Sequence, residues 1–222
     1  MTDAQLLVQQ MHRDLEPVER KIRHHPYLRA VEERRLEPLH LQSFVGEQWW
    51  IISSDLRSIA LLISRCERPD SQRFFNDVLQ GESAALEAIP ALAAALGMQL
   101  SDCAAYEPSP GAQAYSVYLA WLCLYGSDAE VAAALSVNFA AWGANCARMG
   151  QALQRQYGLR ADDVVFFSQF AAAPQDVTPE ALAVIDSGLQ RGVEAKRIAR
   201  AARMLQGYES MFWDTVLSIA ER

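Results

Sequence analysis

Residues 204–220 read MLQGYESMFWDTVLSIA, and the rest of the chain is organised around this stretch. At helical spacing Tyr208, Met211, Phe212, Thr215 and Ile219 fall on one apolar stripe, with Glu209 at its edge beside Trp213. A carboxylate embedded among large rings loses its hydration, which raises its pKa and lets it exchange a proton near neutrality. The plainer alternative is a solvated Glu209 at the boundary of an ordinary amphipathic helix.

The same helical period extends upstream. Ala, Leu, Gln, Glu and Arg dominate, and β-branched runs punctuated by turns are absent, so the chain is expected to be all-α and to form one domain over residues 1–222. A first helix is expected over 4–24, and His25-Pro26 breaks it before a short helix over 27–34. Residues 38–66 form a long segment whose stripe of Leu41, Phe44, Val45, Gln48, Trp49, Ile52, Leu56, Ile59 and Ile63 marks a central helix. Asp70 is expected to cap a helix over 71–96 that Pro90 kinks and Gly97 stops. Residues 98–111, with Pro108-Ser109-Pro110-Gly111, read as one long surface loop. Helices over 112–125 and 129–157 follow, the second stopped by Gly158; then comes a short one over 161–172. Thr178-Pro179 opens a last helix that runs to Ala220 and bends at Gly188 or Gly192. Alanine-rich segments over 84–95 and 129–144 allow close helix packing.

Of the 222 residues, 51% are hydrophobic and 21% charged, enough for a sizeable buried core. The formal charge of −7, with both signs interspersed, argues against nucleic acid or an anionic membrane as partner. Small molecules and further copies of the chain are the expected partners. Cys66, Cys103, Cys123 and Cys146 form no CxxC pair and no metal spacing, so they are expected to be reduced thiols in a cytoplasmic protein. The N-terminal stretch has neither a signal-peptide core nor a membrane span. No phosphate loop, Ser-His-Asp arrangement or nucleotide fingerprint occurs, and no cofactor is expected.

Three local patterns coincide with one family. His24-His25-Pro26-Tyr27-Leu28, Leu36 and the segment 44–52 resemble the N-terminal signature of the haem-oxygenase-like superfamily, in its TenA (thiaminase II) and PqqC branch. Tyr115-Ser116-Val117-Tyr118-Leu119 resembles the mid-chain tyrosine motif of that branch, and Tyr208-Glu209-Ser210-Met211-Phe212-Trp213-Asp214 is similar to its YExxFWxxA ending. The resemblance implies a haem-oxygenase-like helical bundle, commonly assembled as a homotetramer; a homo-oligomer, dimer or tetramer, is therefore expected. It also implies a pocket whose aspartate, tyrosine, cysteine nucleophile, second tyrosine and glutamate correspond to Gln48, Tyr115, Asn138, Trp142 and Glu209. Glu47 stands where a glutamine is expected. An amide is not a nucleophile, so covalent attack through Asn138 is excluded.

Di-iron oxidases of the same superfamily resemble the chain in outline. Glu82 stands where their first ligand is expected, but Ile89 occupies the histidine position seven residues on. The later ligand cluster falls on Phe170, Pro174 and Val177, and all four histidines precede Leu41, so no metal centre is expected. Cys146 lies eight residues beyond Asn138, about 12 Å along a helix, too far to act in its place.

These readings converge on Glu209 and Tyr115 as candidate catalytic groups, with Gln48, Glu47, Asn138, Trp142, Glu82, Trp49 and Phe212 as candidate ligand contacts. The aromatic supply suits a flat pyrimidine-like or quinone-like metabolite. Three readings remain open: metal-free acid/base chemistry on that metabolite, non-catalytic binding on the same fold, and thiamin-salvage aminohydrolysis by a rearranged site.

Overall fold

A computed structural model describes residues 1–174 and 176–221. The chain forms α1 (Asp3–Arg23), α2 (Pro26–Glu32), α3 (Pro38–Arg65), α4 (Pro69–Ala95), α5 (Leu100–Ala105), α6 (Pro110–Tyr125) and α7 (Asp128–Tyr157). A 3-10 turn (Ala161–Val164) leads into α8 (Val165–Ala172), and α9 (Pro179–Gln190) and α10 (Ala195–Ala220) complete it. No strand occurs among the described residues.

Local chemistry sets most boundaries. The Thr2 and Gln5 side chains cap α1 reciprocally, and Ser127 and Glu130 do the same for α7. Gly158 closes α7 in the left-handed conformation.

Four expectations change. Helix α4 begins at Pro69 with Arg68 as its cap; Asp70 sits in the first turn and pairs with Arg73. The stretch 98–111 is not one open loop, because Gln99 and Asp102 cap α5 and its Cys103 is buried. The segment 161–172 starts as a 3-10 turn before continuing as α8. The last helix is broken, not bent: Gly192 has φ +89°, its N–H bonds the Leu189 carbonyl, and the Val193 N–H bonds the Gly188 carbonyl. This is the paired-bond helix stop that a glycine favours.

Helix α7 runs through the middle, packed against α10, α8, α9 and α2, while α3 lies between α4 and α6. Ala129, Ala132, Ala133 and Ala134 of α7 are fully buried, which brings its neighbours close. Phe44 of α3 is the hub of an aromatic cluster: its ring lies 5.6 Å from Phe167, 5.7 Å from Phe212, and 6.2 Å from both Trp142 and Trp213. No helix among the described residues is long and apolar enough to cross a membrane. Cys66, Cys103, Cys123 and Cys146 are all free and buried.

Candidate functional site

The buried face of α10 is rotated from the stripe that the sequence marks out. Leu205, Glu209, Phe212, Trp213, Val216 and Ala220 point inward, whereas Met211 is exposed and Tyr208, Thr215 and Ile219 are half-buried. The rotation carries Glu209 from the edge of the face into its middle, where it is only 2% exposed.

Both Glu209 oxygens are held. The Trp213 indole N–H, one turn further along α10, donates to Oε1 at 3.1 Å, and Asn138 Nδ2 of α7 donates to Oε2. Asn138 Nδ2 also donates to Gln206 Oε1 at 3.0 Å, and Asn138 Oδ1 accepts the Tyr115 hydroxyl of α6 at 3.1 Å. These bonds favour the carboxylate, yet burial outweighs them and pushes the Glu209 pKa up to about 8. Burial, together with Asp55, Glu82 and Glu209, also drives the Tyr115 hydroxyl well above its ordinary value, so it remains a neutral donor.

A cavity lies against this group. Gln48, Ile51, Ile52 and Asp55 of α3, Glu82 of α4, Tyr115 of α6, Asn138, Phe139 and Trp142 of α7, Phe170 of α8, and Glu209 and Phe212 of α10 line it. Its volume is about 40 Å³. Trp142 sets its ring near-perpendicular to Phe170 at 5.7 Å and to Phe212 at 5.9 Å. A larger hollow of about 610 Å³ adjoins it and shares Glu82, Phe139 and Phe170 as the dividing wall.

The walls differ in how their polar groups are satisfied. On the side formed by α6, α7 and α10, Asn138 bonds both the Tyr115 hydroxyl and the Glu209 carboxyl. On the α3–α4 side, Gln48, Asp55 and Glu82 are 4%, 3% and 8% exposed, and Asp55 Oδ1 is buried with no hydrogen-bond partner. Burial together with the Glu82 charge raises the Asp55 pKa well above the usual range, and burial lifts Glu82 to about 7.

Of the residues singled out in the sequence, Glu209, Tyr115, Gln48, Asn138, Trp142, Glu82 and Phe212 meet at this cavity. Glu47 and Trp49 do not line it. Glu47 is engaged elsewhere: its Oε1 accepts the Ser109 N–H at 2.8 Å and the Tyr106 hydroxyl at 3.1 Å, and Oε2 accepts Gln113 Nε2 at 2.7 Å. Trp49 is half-buried and packs against the core from outside the cavity. Sequence reading missed Asp55, Phe139, Phe170 and the amide partner Gln206. The signal for Asp55 was its place seven residues after Gln48, on the face that carries Ile52 and Ile59. No group of three or more His, Cys, Asp or Glu side chains among the described residues is placed to hold a metal ion.

The fold and the family follow together. The TENA/THI-4/PQQC family profile matches residues 12–218. The chain belongs to that family. The family's haem-oxygenase-like fold is also found in solved structures. A TenA homologue from Pseudomonas syringae pv. tomato str. DC3000 superposes with a TM-score of 0.80 at 15% identity, over 95% of this chain and 92% of that one. A TenA homologue from Pyrococcus furiosus gives 0.74 at 20% identity, over 95% and 99%. A domain of unknown function with a heme oxygenase-like fold, from Shewanella denitrificans OS217, gives 0.73 at 13% identity, over 98% and 93%. Among curated proteins none matches this TENA/THI-4/PQQC chain.

Proposed function

We propose that this TENA/THI-4/PQQC protein binds a small planar metabolite, pyrimidine-like or quinone-like, in the cavity beside Glu209, and transforms it by metal-free proton transfer. The observation that carries this reading is the state of Glu209: buried, held through both oxygens, bordering a cavity, and poised to titrate at about 8. At neutral pH such a carboxyl holds its proton and acts first as an acid toward a ligand atom. Tyr115, itself a neutral donor, positions Asn138, and Trp142 and Phe212, set edge-to-face, give the cavity an aromatic wall for a flat ring to lie against.

The test is a screen of aminopyrimidines, thiamin fragments and quinones for thermal stabilisation and turnover, run on the native protein and on Glu209→Gln. Retained binding with turnover lost supports the reading. Full turnover by Glu209→Gln overturns it.

A second reading, binding without catalysis, is favoured by one observation: no cysteine, serine or lysine lines the cavity among the described residues. Bound ligands that the native protein leaves chemically unchanged would establish it. Thiamin-salvage aminohydrolysis would instead appear as ammonia released from an aminopyrimidine.

We further propose that the protein works in the cytoplasm as a homo-oligomer. The association is supported by an exposed apolar run on α6, where Val117, Trp121 and Tyr125 are 66%, 51% and 64% exposed. Light scattering at the mass of the 24.7 kDa monomer would overturn it.

A further inference from the structure

The cavity carries three carboxyl groups, Asp55, Glu82 and Glu209, and no Lys, Arg or His among its described lining residues. Nor does the adjoining hollow, where Asp77, Glu82, Asp176 and Glu180 are the charged groups. Glu209 already has its donors. Asp55 Oδ1 has none within the protein, although Asp55 is 97% buried, and an acceptor so buried costs free energy unless a donor is brought to it. The Gln48 amide borders the same wall. This side of the cavity therefore offers acceptors to whatever enters, and carboxyls that can ionise against a cation, inside low-dielectric aromatic walls that strengthen such a pairing.

We propose that Asp55 and Glu82 form a cation subsite, which takes a protonated nitrogen with two or more N–H donors, an amidinium or primary ammonium, carried on the flat ligand. Asp55 Oδ1 and a Glu82 oxygen accept its N–H groups, Gln48 orients the adjacent ring edge, and Phe139, Phe170 and Trp142 face the cationic ring. Arrival of the cation supplies the charge partner that the protein withholds, so the carboxyl pair releases a proton to solvent as the ligand binds, and the resulting single negative charge matches the ligand's positive one. The proposal rests on the reading above that the cavity binds a planar ligand, and it separates the two ligand types left open there. A quinone bearing carboxylates finds no cationic partner on these walls, whereas an amino-substituted heteroaromatic cation finds carboxyls that can ionise to meet it.

The experiment uses three nearly isosteric probes, benzamidinium, benzamide and benzoate, titrated calorimetrically into the whole protein and into Asp55→Asn and Glu82→Gln. Both variants are first checked for native circular dichroism. Benzamidinium is expected to bind at least tenfold more tightly than benzamide, and benzoate not at all. Asp55→Asn and Glu82→Gln should each weaken benzamidinium by tenfold or more while moving benzamide by less than threefold. Equal affinity for benzamidinium and benzamide, or benzamidinium binding unchanged in both variants, overturns the cation subsite and leaves the planar-ligand reading standing. Binding of none of the three probes overturns both. If Asp55→Asn does not fold, Glu82→Gln carries the same comparison from the other side of the subsite.

Discussion

Tyr115 donates its hydroxyl to Asn138 Oδ1 across 3.1 Å, and through that amide α6 is tied to the seam between α7 and α10. Asn138→Ala removes the partner of the Tyr115 hydroxyl, of the Gln206 carbonyl and of one Glu209 oxygen at a single stroke. The expected loss is about 2–4 kcal/mol, against about 1 kcal/mol for Tyr115→Phe, which removes only one donor. Urea denaturation of the two variants measures the difference. Because the Asn138 bond lowers the Glu209 pKa, its removal should raise that pKa further, which the carboxyl C=O infrared band would report.

The pH dependence of stability follows from three buried acids whose pKa values all move upward: Glu209 to about 8, Glu82 to about 7, and Asp55 well above its usual range. In each case the folded chain keeps a proton that the unfolded chain releases at an ordinary carboxyl pKa. Their contribution is therefore complete in mild acid and is lost as pH rises through the folded values. The unfolding free energy from urea denaturation, and with it the midpoint, should fall between pH 5 and pH 8, the free energy by up to about 1.4 kcal/mol per pH unit for each titrating group. Glu82→Gln should remove the part that ends near 7 and Glu209→Gln the part that extends to about 8. A midpoint that climbs over this range would contradict the assignment.

Glu47 predicts a different phenotype. It fastens the chain between α5 and α6 through Ser109, Tyr106 and Gln113, and beside it Gly46 faces the Tyr106 ring so closely that an added methyl would overlap the ring. Glu47→Ala is expected to cost about 2–4 kcal/mol, and Gly46→Ala about 1–3 kcal/mol. Neither should change ligand affinity per folded molecule by more than about twofold. Thermal melts paired with calorimetry at low temperature check both halves. A loss of affinity without a loss of stability would return Glu47 to the site.

The helices were legible because caps and breakers act locally: Gly158, and Thr178 with Pro179, stand where the backbone uses them. The faces were less legible. On α10 the large residues Met211 and Tyr208 drew the stripe outward, although burial there follows the groove offered by α7 and α6, which periodicity in one segment cannot sense. Asp55 was passed over for the opposite reason. Its spacing marked it as inward-facing, but an acid within an apolar stripe reads as a flaw until Glu82 of another helix is seen across the same cavity. Glu47 and Gln48 show the limit of adjacency: neighbours on a helix point about 100° apart, and here Gln48 borders the cavity while Glu47 bonds Ser109, Tyr106 and Gln113.

The smooth alanine surface of α7 has one more implication. Small side chains let helices lie close, but they interlock little, and a helix resting on alanines could slide along its neighbour by a turn with little steric resistance. Asn138 and Glu209 prevent this where α7 meets α10, since a one-turn shift would set the amide against Leu205 or Trp213 and strand the carboxyl in hydrocarbon. The polar contact thus works as a notch that sets the axial alignment of the two longest-packed helices, and replacing either partner alters the scaffold's alignment along with its chemistry.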